Sequence, residues 1–281
     1  MEEKTMILID GHNLLFRMFY GIPSSIKNSR GIDIRGLIGF IGSIKRLYVE
    51  FNPDSIIVFF DSETSRFTNE QIDNDYKANR KDYSNVDEEN NPFSQLPLIK
   101  KALDYLNIFN MEIQQNEVDD YIASVVNDKR YKNTTFIIVS TDSDFIQLIN
   151  SNTYLYVQRG KNSVLYNETL IKNKYNILPH QYIEYKSLIG DNCDNIKGIK
   201  GIGKVTATNI LQYGDIESFI KFGTNERIKK TLIESMETII RNIKLITLSV
   251  DLDTDDLTKF SFNNNFINLK VGEIIKCIDE K

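Results

Sequence analysis

The fold is decided by residues 55–61, SIIVFFD, in which six uncharged residues lead to one aspartate. Two further runs have a similar form: MILID at 6–10 and FIIVSTD at 136–142. Continuous apolar strands of this kind are typical of parallel sheets, in which helices cover both faces. The sequence therefore predicts three buried parallel strands, each with an acid at its carboxyl end.

Helical patterns separate these strands. Apolar residues recur at helical spacing within 37–48, 96–106 and 121–126. Alternation of strand and helix indicates an α/β fold with a mostly parallel sheet, and such sheets bind ligands beyond the carboxyl ends of their strands. The aspartates expected to meet at that edge are Asp10, Asp61 and Asp142.

Beyond the third strand the pattern changes. A short hairpin is predicted from Tyr154–Val157 and Val164–Tyr166, and after Pro179 the pattern is helical throughout. We therefore predict two parts, an α/β domain at 1–175 and a helical region at 176–281.

Composition narrows the class of protein. The 281 residues carry 34 Lys+Arg and 39 Asp+Glu, a net charge of −5, and 41% are hydrophobic. These values are ordinary for a soluble globular protein, and no apolar run approaches the roughly 18 residues of a membrane span. Two cysteines cannot form a disulfide scaffold and favour a reducing compartment, so we expect a cytoplasmic protein with no membrane contact.

Nine acids fall in five short motifs. Hard divalent cations such as Mg²⁺ and Mn²⁺ take oxygen ligands, and no Cys/His spacing favours zinc. Nine acids exceed the needs of one ion, so we expect two ions, an arrangement that stabilises the attacking and leaving oxygens of a phosphoryl displacement. Taken singly, each motif also fits a helix cap or a turn. The candidate ligands are Asp10, Asp61, Glu117, Asp119, Asp120, Asp142, Asp144, Asp191 and Asp194.

A polar stretch at 69–91 interrupts the α/β pattern, and a loop of this length is typical of either a functional segment or a disordered linker. Lys77 and Arg80 are spaced to share one face of a helical turn. A lysine near bound metal ions would stabilise a scissile phosphate, and Tyr76 would stack on an unpaired base. The alternative is a solvated charged face. We assign catalytic roles to Lys77 and Arg80 and a binding role to Tyr76.

A Gly-rich turn precedes a predicted helix that begins near Lys204. Glycines allow the backbone to approach a ligand closely, and amides at a helix start bind phosphate. Flanking lysines add the charge that nucleic-acid backbones require. The alternative is a plain helix connector, for which one glycine would suffice. The residues concerned are Lys197, Gly198, Lys200, Gly201, Gly203 and Lys204.

These motifs together resemble one family. The chain is similar to the 5′-nucleases: flap endonucleases, the 5′-nuclease domain of bacterial DNA polymerase I, and phage 5′-exonucleases. The matching stretches are LIDGHNLLFR (8–17), VFFD (58–61), YKANR (76–80), NEVDD (116–120), STDSDF (140–145) and GDNCDNIKGIKGIGKVTA (190–207).

The resemblance implies a PIN-like core at 1–175, a helical arch at 69–95 through which a single-stranded 5′ end passes, and a helix–three-turn–helix motif at the Gly-rich turn. It also implies two sets of metal ligands. Asp10, Asp61, Glu117 and Asp119 would hold the first ion, and Asp142, Asp144, Asp191 and Asp194 the second, with Asp120 nearby.

The resemblance further implies a 5′→3′ exonuclease and flap endonuclease that cuts DNA at junctions of duplex and single strand, in replication or repair. RNA–DNA hybrids are a further expected substrate, because neither stacking nor phosphate contact demands a 2′-hydrogen. K⁺ is expected at the carbonyls of Gly198–Gly203, and the chain is expected to be a monomer. Arg17 either orients a substrate phosphate or pairs with one of the acids.

The motifs also bear on three other classes of protein. A protein that binds branched DNA without cutting it would keep the Gly-rich turn but not the full set of acids. An RNA-cutting PIN toxin would be shorter and would lack that turn. A haloacid-type phosphatase needs a second aspartate two residues after its nucleophile, where this chain has His12.

Overall fold

The computed structural model describes residues 4–62, 83, 86–255, 257 and 270–279. Within these residues a six-stranded sheet forms the centre of the molecule. Its strands are β1 (Lys4–Asp10), β2 (Ser55–Asp61), β3 (Phe109–Ile113), β4 (Thr134–Val139), β5 (Thr153–Val157) and β6 (Val164–Tyr166).

The strand order in this sheet is β3–β2–β1–β4–β5–β6, and every neighbouring pair is parallel except β5 and β6. The chain winds outward from β1 to β3 and then crosses to β4 on the other side of β1, so a topological switch point lies between β1 and β4. Ile9 pairs with both Val58 and Val139, which places the ends of β1, β2 and β4 at one level. The predicted mostly parallel α/β sheet is confirmed, and ligands of such sheets bind at the switch point.

Helices cover both faces of the sheet. They are α1 (Gly11–Gly21), α2 (Arg35–Phe51), α3 (Leu96–Tyr105), α4 (Val118–Asn127), α5 (Glu168–Tyr175), α6 (Tyr182–Ile189), α7 (Lys204–Leu211), α8 (Ile216–Phe222), α9 (Glu226–Glu234), α10 (Met236–Ile246) and α11 (Val271–Asp279). No helix among the residues described is long and apolar enough to span a membrane.

Successive residues of β1 point into two different cores, as the period of a strand requires. Ile7 and Ile9 pack with α1, α2 and α3 on one face of the sheet. Met6 and Leu8 pack on the other face with α4 and with helices of the C-terminal region. All four side chains are buried. The apolar run therefore marks a strand with no solvent-exposed face.

The C-terminal region is helical, as predicted, with one departure. A short hairpin follows α6, formed by the two-residue strands β7 (Gly190–Asp191) and β8 (Ile196–Lys197). Gly190 adopts φ +80°, and a Cβ at Gly198 would lie 2.4 Å from the carbonyl carbon of Ile189. Glycine is needed at both positions because the two backbone segments touch.

Two further findings lie outside the sequence prediction. β3 is an edge strand in which Ile113 alone is buried, so it lacks the apolar run that identifies the central strands. Helix α11 returns to the first part of the chain, where Ile274 is buried in the same core as α2 and α3. The division into 1–175 and 176–281 stays a prediction.

Candidate active site

The carboxyl end of β1 is tied to the end of β4 through Asp10. One carboxylate oxygen of Asp10 accepts a hydrogen bond from the backbone N–H of Asn13 (3.0 Å), which caps α1, and the other accepts one from the hydroxyl of Ser140 (3.1 Å). The side-chain oxygen of Asn13 in turn accepts hydrogen bonds from the backbone N–H and the hydroxyl of Thr141, both at 3.0 Å. Asp10 and Asp142 are thereby held at the switch point of the sheet.

The end of β2 is tied to the start of α4. Asp61 accepts a hydrogen bond from the backbone N–H of Val118 at 3.0 Å, and its other oxygen lies 3.4 Å from Nδ1 of His12. Glu117 occupies the N-cap position of α4, and Asp119 lies in its first turn. Acids at a helix N-terminus are favoured by the helix dipole. Asp61 is therefore adjacent to the predicted Glu117–Asp119 pair.

Asp120 is directed elsewhere. Its carboxylate accepts a hydrogen bond from the backbone N–H of Ser249 at 2.7 Å, which joins α4 to the segment after α10. Asp119, by contrast, accepts a hydrogen bond from the backbone N–H of Asp120. The contact of Asp120 ties two parts of the chain together.

The loop after β4 carries Asp142 and Asp144. Asp142 caps a 3₁₀ turn, Ser143–Leu148, by accepting a hydrogen bond from the backbone N–H of Asp144 at 2.9 Å. Asp144 is buried, with 5% of its surface exposed. The turn therefore fixes both carboxylates before any ligand binds.

Lys186 of α6 joins this loop to the β7–β8 hairpin. Its ammonium contacts the carboxylate of Asp144 directly and lies 2.5 Å from the carboxylate of Asp191. The lysine side chain is 4% exposed. The second oxygen of Asp191 accepts a hydrogen bond from the backbone N–H of Cys193 at 2.7 Å, and Asp194 is buried in the same hairpin. Lys186 is therefore a cation held between two predicted metal ligands.

The electrostatics show how closely the acids approach one another. Burial and the charges of Asp61 and Asp142 raise the pKa of Asp10 to about 6. Burial and the charge of Asp142 raise the pKa of Asp144 to about 7, although Lys186 opposes this shift. Burial would also raise the pKa of Asp191, but the ammonium of Lys186 outweighs it and the pKa is lowered. Like charges at close range disfavour ionisation unless a cation compensates them.

The donor set fits hard divalent cations, because it consists of carboxylate oxygens. Among the residues that the structure describes, no three acids or histidines are close enough to hold an ion as they stand. In this arrangement the Lys186 ammonium lies between Asp144 and Asp191. The ammonium supplies positive charge at the position where a bound cation would supply it.

The Gly-rich turn lies at the start of α7, and the helix begins at Lys204 as predicted. Ile199 and Ile202 anchor the turn in the core. No side chain caps the helix start at Gly203, so its first N–H groups are open to a ligand. The three predicted lysines, Lys197, Lys200 and Lys204, and the glycines Gly198, Gly201 and Gly203 are all solvent-exposed.

Sequence reasoning missed three residues of this region. Lys186 could have been identified from the sequence. Lys186 and Glu184 are the two charged residues of α6, the helix that leads into the acidic hairpin. For Ser140, the only indication in the sequence is its position at the end of a predicted strand. Asn242 donates hydrogen bonds to the backbone carbonyls of Ser187 and Lys197, both at 2.9 Å, and so fixes the hairpin against α10. A buried asparagine in a helix gives no such indication in the sequence.

The predicted residues of the polar stretch, Tyr76, Lys77 and Arg80, lie outside the described residues. Arg17 lies on α1 and forms no ion pair with any residue in the described part of the chain, so the alternative of pairing with the acids is not realised there.

Two family models match the chain. The N-terminal resolvase-like domain of 5′-3′ exonucleases matches residues 5–176, and their C-terminal SAM fold matches residues 177–266.

Curated relatives agree with these matches. The 5′-3′ exonuclease of Buchnera aphidicola is 31% identical over 99% of this chain and 89% of the relative. That of Aquifex aeolicus is 31% identical over 96% of this chain and 92% of the relative. DNA polymerase I of Caldicellulosiruptor bescii is 29% identical over 96% of this chain, which spans 33% of the polymerase.

Solved structures share the fold. The bacteriophage T5 D15 protein co-crystallised with metal ions superposes with a TM-score of 0.68 at 22% identity, covering 99% of both chains. The T5 D15 flap endonuclease in complex with DNA and metal ions gives 0.70 at 22% identity, covering 99% of this chain and 100% of the other. The catalytic core of Rad2 with a DNA substrate gives 0.55 at 14% identity, covering 99% and 92%. On the two family models and the full-length relatives, this chain belongs to the 5′-3′ exonuclease family, a family of nucleases.

Proposed function

We propose that the chain is a metal-dependent nuclease that hydrolyses DNA phosphodiesters at 5′ ends and flaps, as a 5′→3′ exonuclease and flap endonuclease in replication or repair. The observation that carries the proposal is the placement of acids at the carboxyl ends of β1 and β2 and in the loop after β4, which Lys186 joins to Asp191 of the β7–β8 hairpin. Separate segments of a chain gather ionised carboxylates at a cost, which divalent cations would offset.

Two hard ions, Mg²⁺ or Mn²⁺, fit this edge. Asp10, Asp61, Glu117 and Asp119 would hold one, and Asp142, Asp144, Asp191 and Asp194 the other. When bound, such ions would activate a water molecule and neutralise charge on the phosphate.

The protein groups around these acids position them. Asn13 and Ser140 fix the orientation of the Asp10 carboxylate by hydrogen bonds of 3.0 and 3.1 Å. Lys186 stays protonated, because Asp144 and Asp142 outweigh the burial that would lower its pKa.

Substrate binding would also involve the Gly-rich turn. The uncapped start of α7, with Lys197, Lys200 and Lys204, supports binding of a duplex backbone without sequence readout. Carbonyls of the Gly198–Gly203 turn would take K⁺, and Tyr76, Lys77 and Arg80 would contact the single-stranded 5′ end. We further propose activity on RNA–DNA hybrids, a monomeric state and a cytoplasmic location.

Cleavage of a labelled 5′-flap duplex with Mg²⁺ or with EDTA tests the proposal. The double variant Asp142→Asn/Asp144→Asn should lose cleavage and retain measurable binding of the flap. The matched control is Glu217→Gln, which removes an exposed acid on α8, outside the acidic motifs. Cleavage that survives EDTA or the double substitution would refute the metal assignment. Binding without any cleavage by the unaltered protein would instead support a non-catalytic protein that recognises branched DNA.

A further inference from the structure

A segment that follows α10 is hydrogen-bonded to both groups of acids. α10 ends at Ile246, and the residues from there onward contact the turn after β4 and the start of α4. We refer to residues 246–252 as the bridge. No residue of the bridge belongs to the five acidic motifs, and the function proposed above gives the bridge no role.

Gln147 joins the bridge to the turn that carries Asp142 and Asp144. Its amide nitrogen donates hydrogen bonds to the backbone carbonyls of Asp144 (2.9 Å) and Ile246 (3.0 Å). Its side-chain oxygen accepts a hydrogen bond from the backbone N–H of Leu248 at 3.0 Å. A glutamine amide has two N–H donors, so both are used here. The side chain therefore holds the backbone of Asp144 against the bridge.

The bridge is attached to α4 as well. The backbone N–H of Ser249 donates a hydrogen bond to the carboxylate of Asp120, in the first turn of the helix, at 2.7 Å. The hydroxyl of Ser124 lies 3.3 Å from the carbonyl oxygen of Ser249 and accepts a hydrogen bond from the backbone N–H of Leu252 at 3.1 Å. Ser124 is 2% exposed. The bridge is thus fixed to the helix whose first turn also carries Asp119.

The two attachments use neighbouring residues of the chain. The N–H of Leu248 donates to Gln147, and the next N–H, that of Ser249, donates to Asp120. Because consecutive Cα atoms are about 3.8 Å apart, the bridge sets a short spacing between the turn after β4 and the start of α4. Leu248 is also buried in the same core as Phe145 of that turn, so apolar packing supports the hydrogen bonds.

We propose that Gln147 is a positioning residue for the nuclease reaction. Through the bridge, it holds the turn of Asp142 and Asp144 at a fixed separation from the start of α4, where Asp119 lies. Two ions that act on one phosphate need such a fixed separation. Replacement of a residue that orients metal ligands typically costs about 10- to 100-fold in metal affinity. The inference rests on the function proposed above and adds a residue that acts through the ligands rather than as one of them.

A purely structural role would use the same hydrogen bonds to hold the C-terminal region against the sheet. The far end of α4 supplies the comparison. There the hydroxyl of Thr254 donates a hydrogen bond to Asp128, the C-cap residue of α4, at 2.8 Å and accepts one from Arg130 at 2.6 Å. Thr254 is 4% exposed. These contacts fix the chain just after the bridge to the same helix, at the end opposite Asp119.

Calorimetric titration with Mn²⁺, in the absence of DNA, tests the proposal on Gln147→Met. Methionine has a side chain of similar length and removes all three hydrogen bonds. The variant should bind Mn²⁺ about tenfold more weakly than the wild type. At limiting Mn²⁺ its kcat for flap cleavage should fall about tenfold and recover at high Mn²⁺. Its KM for the flap should not change, because the Gly-rich turn is intact.

Thr254→Val is the matched control, because it removes a buried hydroxyl from the neighbouring part of the chain. It should lower the unfolding temperature, as Gln147→Met does, and should keep the Mn²⁺ affinity of the wild type. Equal loss of Mn²⁺ affinity in the two variants would show a structural role and overturn the proposal. Wild-type Mn²⁺ affinity in Gln147→Met would overturn it as well.

Ser124→Ala decides the question if Gln147→Met does not fold. It leaves Gln147 and Asp120 in place and removes the contacts of the hydroxyl with Ser249 and Leu252. Its Kd for Mn²⁺ should rise roughly threefold, the value of one weak hydrogen bond, and an unchanged Kd would overturn the proposal. A wild type that binds no Mn²⁺ and cuts no flap would overturn the proposed function itself, so the two failures are distinguishable.

Discussion

Replacement of Lys186 by methionine removes the one ammonium between Asp144 and Asp191 and keeps the side-chain volume similar. The side chains of these acids are 8% and 14% exposed, so both would remain buried without the cation that lies between them. Breaking a buried ion pair by removing one partner costs about 3 to 5 kcal/mol. In a chain of this size each kcal/mol corresponds to about 2 °C, so the unfolding temperature should fall by about 6 to 10 °C in EDTA.

Two changes should restore part of the lost stability, because each reduces the uncompensated negative charge. Mg²⁺ in excess should raise the unfolding temperature of Lys186→Met more than that of the wild type, because the ion replaces the missing charge. The double variant Lys186→Met/Asp144→Asn should recover part of the stability, because it leaves one acid instead of two. Differential scanning fluorimetry measures all three proteins.

Lys172→Met serves as the control for this series. Lys172 is an exposed lysine on α5, so its substitution should change the unfolding temperature by less than about 1 °C. An unfolding temperature of Lys186→Met equal to that of the wild type in EDTA would refute the reasoning, because it would mean that the acids do not depend on the ammonium.

Three further predictions concern the acids, the Gly-rich turn and the helix that supports it. The pKa of Asp10 is raised to about 6 in the folded protein, so ionisation of this acid opposes folding. In EDTA, the free energy of unfolding of the wild type should therefore fall by about 3 kcal/mol relative to that of Asp10→Asn as the pH rises from about 4 to above 6. Urea unfolding at several pH values measures this difference. Gly198→Ala should destabilise the hairpin and weaken flap binding, because the new Cβ would lie 2.4 Å from backbone atoms of Ile189. Gly203→Ala should be tolerated, because no atom lies within 4 Å of its new Cβ. Equal unfolding temperatures of the two variants would contradict this prediction. Asn242→Ala should lower the free energy of unfolding by about 2 to 4 kcal/mol, because the carbonyls of Ser187 and Lys197 lose their donor. A change under about 1 kcal/mol would show that water replaces the amide.

The central sheet was predictable because its signal is strong. The run at 55–61 has no polar alternation, and a strand buried on both faces must be covered by helices. Its carboxyl end, and that of the run at 6–10, then lie at one edge of a parallel sheet by geometry alone. Period and burial together fix the fold class without knowledge of any individual contact.

The parts that sequence reasoning missed lack such periodic signals. The edge strand β3 (Phe109–Ile113) has one buried residue, so its pattern resembles a loop. The β7–β8 hairpin depends on contact between the backbones of Gly190 and Gly198, which the sequence shows only as two glycines.

Contacts between distant segments were also beyond the sequence. Lys186 meets Asp144 only because α6 packs against the turn after β4. Spacing along the chain predicts which residues share a face of one element. It does not predict which charged side chains from different elements become neighbours.

We expect acids from separate strands and loops to share a pocket for hard divalent cations. Anomalous diffraction from a crystal soaked with Mn²⁺ would locate those cations. We expect two peaks at the carboxyl edge of the sheet, one contacting Asp10 and one contacting Asp142, Asp144 or Asp191, with the ammonium of Lys186 moved away from Asp191. A map with no peak at this edge, or with peaks only at acids elsewhere on the surface, would contradict this expectation.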